Sequence, residues 1–104
     1  MTLLPGEVTV SFRYARHVGP RYVHGAVTLQ FSSAKSFSFT SDASWPEDDY
    51  TTDVKNEVIS ALSEREALDQ TACKLLAVEW DSVSSCVAGF RAAARAATLS
   101  AFEV

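Results

Sequence analysis

The apolar residues of this 104-residue chain first alternate with polar residues and later recur every three or four positions. Residues 7–14 read EVTVSFRY, with an apolar side chain at each even position, and residues 22–31 resume the alternation in their second half. A period of two is typical of half-buried strands, and Gly19 and Pro20 between the two segments indicate a turn. The pattern predicts an antiparallel hairpin with a loop of medium length, followed by a short third strand at residues 36–40.

The period changes to that of a helix after the third strand. We expect a helix over residues 46–63, because apolar side chains recur there at helical spacing and form one stripe. The stripe comprises Tyr50, Val54, Val58, Ala61 and Leu62. Ser44 or Asp42 is a candidate cap, and Pro46 suits a first helical turn. The acidic residues at 47–49 would then lie at the positive end of the helix dipole.

A fourth strand and a second helix complete the predicted order. The nearly continuous apolar run CKLLAVEW at residues 73–80 predicts a strand that is central in the sheet or covered on both faces. Ser84 or Ser85 is a candidate cap for a final helix that ends at about Phe102. The order β-β-β-α-β-α and the chain length predict a single domain over residues 1–104. We expect an α+β two-layer sandwich, with about four strands and two helices on one face.

The charge distribution limits the partners of this chain. Its net charge of −4 divides into four cations and one acid in residues 1–40, three cations and eleven acids in residues 41–81, and two cations and one acid in residues 82–104. Phosphate neutralisation supplies most non-specific affinity for nucleic acid, so a general nucleic-acid binder is usually basic, and this chain is not. The acidic middle segment also argues against attraction to anionic membranes.

The sequence carries no signal for a membrane or for export. No apolar run approaches the roughly 20 residues that span a bilayer, and MTLLPGEVTV lacks a basic segment followed by an apolar one. We therefore expect a cytoplasmic protein. Cys73 and Cys86 have no CxxC spacing, and two buried free thiols in a reducing cytosol are the favoured interpretation. A disulfide between them is the alternative.

The residue patterns of enzymes and cofactor sites are weak in this chain. No GxxxxGK loop is present, so we expect no bound nucleotide. His17 and His24 flank the hairpin turn, but two imidazoles alone make a weak metal site, and solvent-exposed histidines are the favoured interpretation. Ser84, Ser85 and Cys86 precede a helix without a GxSxG frame or a histidine close in sequence, which favours capping over nucleophilic catalysis. We expect no enzyme activity, no metal and no cofactor.

The two tryptophans lie at the ends of predicted elements. Trp45 precedes a proline, and a binding role and a role in closing the core are equally supported for it. Trp80 ends the fourth strand beside apolar neighbours, which favours a place at the edge of the core.

Three segments of the chain together resemble domain IV of bacterial elongation factor G. VSSCVAGFRAAARAA is similar to that domain's last helix, in which Val-Asp-Ser-Ser is followed by Ala-Phe and a run of alanines with basic residues. PEDDYTTDVKNEVISALSE resembles the family's Pro-x-x-Tyr-Ile-Pro-x-Val helix with one inserted residue, and GPRYVHGAVTLQF resembles its Gly-Gly-Arg-Gly-Gln-Tyr-Gly loop and the next strand. The matching positions are Gly19, Arg21, Gly25, Val27, Pro46, Tyr50, Val54, Ala61, Leu62, Val83, Ser85, Phe90, Arg91, Ala93, Ala94 and Ala97.

The resemblance implies a ribosomal protein S5 domain 2-like fold with a left-handed β-α-β crossover. In the family this domain mimics part of a tRNA, and its tip reaches the decoding centre of the ribosome. The positions that match the family's tip loops are Gly19, Pro20, Arg21, Trp80 and Asp81. The chain departs from the family there, since Asp81 stands in place of a histidine and Pro20 in place of a glycine. No GTPase domain is present in these residues, so translocase activity is not expected of this chain alone.

Two functions follow as hypotheses, and an enzyme ranks behind both. The favoured one is a non-enzymatic protein-interaction or assembly module, whose partner is another protein or a second copy. Small residues of the last helix outside its core stripe permit close approach of a partner's helix or of the first helix in the same fold; these are Ala88, Ala92, Ala96 and Leu99. The alternative is a module that binds structured RNA or the ribosome through the basic N-terminal hairpin. The candidate contact residues are Arg13, Arg16, Arg21, His24, Arg91 and Arg95.

Overall fold

The computed structural model describes residues 7–46, 48–81 and 85–102 of the chain. Its elements are β1 (Val8–Val18), β2 (Arg21–Ser33), β3 (Ser38–Ser41), α1 (Thr51–Glu64), a 3-10 turn (Leu68–Gln70), β4 (Thr71–Glu79) and α2 (Val87–Ala101). The strands form one mixed sheet in the order β1-β2-β4-β3. Pairing is antiparallel except between β3 and β4, which are joined through α1, because parallel neighbours need a crossover connection. The predicted α+β two-layer sandwich of four strands and two helices is confirmed.

The β1–β2 hairpin is longer and its loop is shorter than the sequence predicts. The register runs without a shift from the pair Val8 and Phe31 to the pair Val18 and Arg21, which leaves only two linking residues. The first of them, Gly19, has φ +65°, a conformation that side chains rarely tolerate. The predicted loop of medium length is wrong, because the strands continue through Ala15–Val18 although the apolar alternation there has ended.

Helix α1 begins five residues later than the prediction of residue 46. Tyr50 occupies the cap position, and an Asp49 side-chain oxygen accepts the Thr51 N–H at 2.8 Å. Neither predicted cap serves the helix. The backbone of Asp42 instead continues the sheet, where its N–H donates to the Leu75 carbonyl at 2.9 Å. Residue 47, an acid of the predicted first turn, lies outside the described residues.

The predicted strand β4 and helix α2 are both present, but details of their predicted environment and capping differ. β4 is central, between β2 and β3, and alternate side chains of its first half are buried, so one face rather than both is covered. α2 begins at Val87 with Cys86 at the cap position and without a side-chain capping bond. The predicted capping by Ser85 is therefore wrong, and Ser84 lies outside the described residues.

Both helices contribute to one core on the inner face of the sheet. Its fully buried large side chains come from β2, β4, α1 and α2, and they include Phe31, Phe90, Leu29, Leu62, Leu75, Val54 and Val58. As the helical period predicts, Phe90, Ala94 and Ala97 share the buried face of α2. Phe90 is wholly buried, so it anchors α2 to the sheet.

Both cysteines are free, with Cys73 buried and Cys86 half-buried. Burial raises the pKa of the Cys73 thiol to about 12, from an ordinary value of 9.0. Between these two pH values the unfolded chain loses the thiol proton while the folded chain keeps it. Stability should therefore fall as pH rises through this window, by up to about 1.4 kcal/mol per pH unit from this group.

We expect Cys73→Ala to remove this contribution from the alkaline loss of stability. The measurement is urea unfolding at several pH values from 8 to 11, compared with Cys86→Ala as the half-buried control. If Cys73→Ala leaves the slope of stability against pH unchanged, the Cys73 thiol of the wild-type chain has the same pKa in the folded and unfolded states.

Candidate functional site

The end of the hairpin reaches beyond the rest of the sheet. β4 pairs with β2 only from Ala26 onward. The part of the β1–β2 hairpin nearer the turn therefore projects past the end of β4. We call residues 14–23 the hairpin arm. Three of its exposed side chains are aromatic or basic, namely Arg16, His17 and Tyr22. The rings of His17 and Tyr22 meet edge-on at 5.0 Å, and the Arg16 guanidinium lies 5.5 Å from the Tyr14 ring centroid. The arm therefore presents the residue types that are enriched in binding hot spots.

Two glycines hold the base of the arm against the start of α2. A Cβ at Gly25 would lie closer than 3.0 Å to the backbone of Gly89 and Phe90. A Cβ at Gly89 would lie 2.8 Å from the Gly25 nitrogen and closer still to the His24 carbonyl. The backbones of β2 and α2 thus touch directly, and any side chain at either glycine would push the arm and the helix apart.

The loop before α2 is hydrogen-bonded to the base of the hairpin arm at His24. Ser85 forms an isolated parallel bridge with His24, and its hydroxyl lies 3.1 Å from the His24 Nδ1. That hydroxyl also accepts the Asp81 N–H at 2.7 Å, and the Cys86 N–H donates to the His24 carbonyl at 3.4 Å. The loop before α2 and the base of the hairpin arm therefore lie at the same end of the sheet.

This arrangement changes the interpretation of the histidines. His17 is exposed, as predicted, whereas His24 is half-buried and bonded to Ser85. The pair was missed because 61 residues separate its members, and neither has a motif around it. Within the described ranges no group of three or more His, Cys, Asp or Glu side chains is placed to hold a metal.

Four aromatic rings close the core beneath these loops. Phe90 lies at their centre, with ring centroids 4.9 Å from Trp45, 5.5 Å from Trp80 and 5.8 Å from Tyr50. The Trp45 indole N–H donates to the Thr51 hydroxyl at 2.9 Å. Both tryptophans are half-buried against the core, so Trp80 has the predicted place, and Trp45 serves packing rather than standing free for a ligand.

The predicted arginine contacts are dispersed, and most are paired within the chain. Arg91 donates to Glu57 at 3.1 Å, and Arg95 pairs with Glu64, so both arginines join α2 to α1. Arg13 pairs across the outer face of the sheet with Glu79 of β4. Arg16 is exposed on the arm beside Tyr14. The backbone of Arg21 forms the first position of β2. The four of these arginines whose side chains are described do not form a common basic patch.

The side of β1 that faces away from β2 forms the edge of the sheet. We call it the free edge of β1, because no described residue pairs with it. Phe12 lies midway along this strand and is 37% exposed, although its alternate neighbours Val10 and Tyr14 pack against the core. In the described ranges the exposed large hydrophobic residues are Phe12 and Tyr22. Both belong to the β1–β2 hairpin, so the large apolar side chains that are exposed on the described chain are found on this hairpin.

The outer face of the sheet holds a shallow depression of about 460 Å³. Small side chains such as Ala26 form part of its lining, beside the pair of Arg13 and Glu79. The hydroxyls of Ser11 and Thr28 lie 2.9 Å apart within it. These polar groups satisfy one another and do not converge on a ligand.

Comparison with known proteins shows the fold of the chain. No protein-family model matches the chain, and no curated protein matches it in sequence. A solved structure of a protein from Thermus thermophilus matches with a TM-score of 0.73 over 94% of this chain, at 13% sequence identity. The chain spans only 16% of that protein's length. At this identity the match shows a shared fold. No described helix is long and apolar enough to cross a membrane.

Proposed function

We propose that this chain is a cytoplasmic, non-enzymatic protein-interaction module that binds its partner through the free edge of β1 and the hairpin arm. The observation that carries this proposal is the exposure of Phe12 beside an unpaired strand edge of eleven residues. An edge strand offers unpaired N–H and C=O groups in a row, and an added strand satisfies them. Aromatic side chains at the edge and on the arm would supply affinity.

We also propose that the scaffold is that of domain IV of elongation factor G, with a left-handed crossover between β3 and β4. The three sequence segments and the shared fold over most of the chain support this origin. The tip differs from the family in its chemistry, since Asp81 and Pro20 replace a histidine and a glycine. If the family's fold is kept while the chemistry of its tip has changed, a new binding partner is a better candidate than the decoding centre of the ribosome.

The second candidate is an RNA-binding module, and the arm supports it. Tyr22, His17 and Arg16 are exposed there, and aromatic rings with guanidinium groups suit stacking on unpaired bases. The internal ion pairs of Arg13, Arg91 and Arg95 disfavour it, because paired cations neutralise fewer phosphates. A gel-shift titration with structured RNA at low salt tests it, and Arg16→Ala with Tyr22→Ala should abolish any shift.

A photo-crosslinking amino acid at Phe12 tests the interaction module directly. We expect it to form discrete protein adducts in an extract of the native cells. The control is the same amino acid at Asn56, which is exposed on α1. Equal adducts at both positions, or crosslinks from Phe12 to RNA alone, would contradict the proposal.

A further inference from the structure

The free edge of β1 lacks most of the usual protection against strand pairing. Natural edge strands are short, or carry charged side chains, a proline, a bulge or inward charges. Of these, β1 has two arginines, and Arg13 is paired with Glu79 on the outer face. β1 is eleven residues long, contains no proline, and pairs with β2 without a shift in register. Phe12 stands exposed at its middle on the side of the sheet that carries the helices. An edge of this kind is suited to pairing.

We infer that β1 pairs antiparallel with β1 of a second copy, around a two-fold axis at Phe12. This inference rests on the proposed function and names its partner. In this arrangement each Phe12 faces the other, and Val10 faces Tyr14 of the second copy on the same side. Aromatic and aliphatic pairs across neighbouring strands stabilise a sheet. The pairing would join two four-stranded sheets into one of eight strands.

The charges of β1 are compatible with this register and exclude an axis one residue further along. An axis at Arg13 would set two guanidinium groups directly opposite each other, which is destabilising. With the axis at Phe12, Arg13 faces Ser11 of the second copy, and Glu7 faces His17. Glu7 is exposed and precedes β1, and although its Oε2 accepts the Gln30 amide N–H at 2.8 Å, a carboxylate has further lone pairs for that imidazole. The register therefore avoids like charges and places an acid beside a basic residue.

The helices permit the same approach. Arg91 and Arg95 lie on the flank of α2 that meets α1, so the opposite flank lies toward the free edge of β1. At 100° per residue, that flank carries Ala92 and Ala96, both half-buried. α2 packs on both β1 and β2, so paired copies would bring their α2 helices to about 10 Å apart. Small side chains suit this spacing and would cover the Phe12 pair.

Sedimentation equilibrium over a range of concentrations tests self-pairing. We expect the wild-type chain to dimerise and Phe12→Glu to weaken the dimer at least tenfold. Asn56→Glu is the control, because it adds the same charge at an exposed position of α1, away from the axis. Circular dichroism should show that both variants fold. A wild-type chain that stays monomeric, or equal weakening by both variants, would overturn the inference.

A disulfide at the axis tests the register. In a Cys86→Ser background, Phe12→Cys should form a disulfide-linked dimer on mild oxidation, since directly opposed residues have Cα atoms about 4.5–5.5 Å apart. Thr9→Cys should not, because its two copies would lie about 20 Å apart. Equal crosslinking at both positions would overturn the proposed register.

The two proposals can fail separately. A monomeric chain whose Phe12 crosslinker captures a different protein would overturn self-pairing and leave the interaction module standing. Adducts of twice the chain's own mass would support both. A monomeric chain without protein adducts at Phe12 would overturn both.

Discussion

Phe90→Ala is expected to lower the free energy of unfolding by about 3–5 kcal/mol, measured by urea denaturation at low protein concentration. The side chain is fully buried and contacts three other aromatic rings, so its removal leaves a cavity that rigid neighbours cannot fill. Phe12→Ala is the control, since that ring is 37% exposed on the edge strand of the sheet. It should cost less than about 1 kcal/mol. A similarly small loss for Phe90→Ala would refute its role as the anchor of α2.

Gly89→Ala is expected to destabilise the fold by about 3 kcal/mol or more. Helix propensity alone predicts the opposite sign, because alanine is favoured over glycine in a helix by about 1 kcal/mol. The steric effect dominates, since the new methyl group would meet the His24 carbonyl and the backbone of Gly25 at less than 3.0 Å.

Gly19→Ala provides the contrast for this variant. Gly19 has φ +65° and no atom within 4 Å of an added Cβ, so only backbone strain of about 1–2 kcal/mol applies. A stabilising effect of Gly89→Ala in the same urea titrations would show that β2 and α2 do not touch at this point.

The sequence reveals the elements of this fold better than the contacts between them. The alternation in EVTVSFRY and the stripe from Val54 to Leu62 are local signals, and both elements are found where these signals lie. The start of α1 was misplaced because a proline followed by acids suits a first helical turn and an extended loop equally well. Asp42 extends the sheet through a bond to Leu75, a partner far along the chain that no local pattern reveals.

The candidate site depends on contacts of the same long-range kind. Sequence spacing places Arg91 and Arg95 together but does not choose between solvent, phosphate and the acids of α1, and the fold selects the acids. The closeness of Gly25 and Gly89 and the bond between His24 and Ser85 depend on how α2 meets β2. Alternation alone groups Phe12 with Val10 and Tyr14, and only the packed structure shows that Phe12 is the exposed one of the three.

Amide hydrogen exchange along β1, followed by NMR at low and high protein concentration, shows whether the free edge of β1 pairs with a second copy. In an antiparallel edge strand, every second residue has its N–H pointing away from the neighbouring strand. We predict that these β1 amides exchange rapidly in dilute solution and become protected at high concentration, and that Phe12→Glu prevents this protection. Rapid exchange of the same amides at every concentration would contradict self-pairing, and slow exchange in the dilute monomer would contradict a free edge altogether.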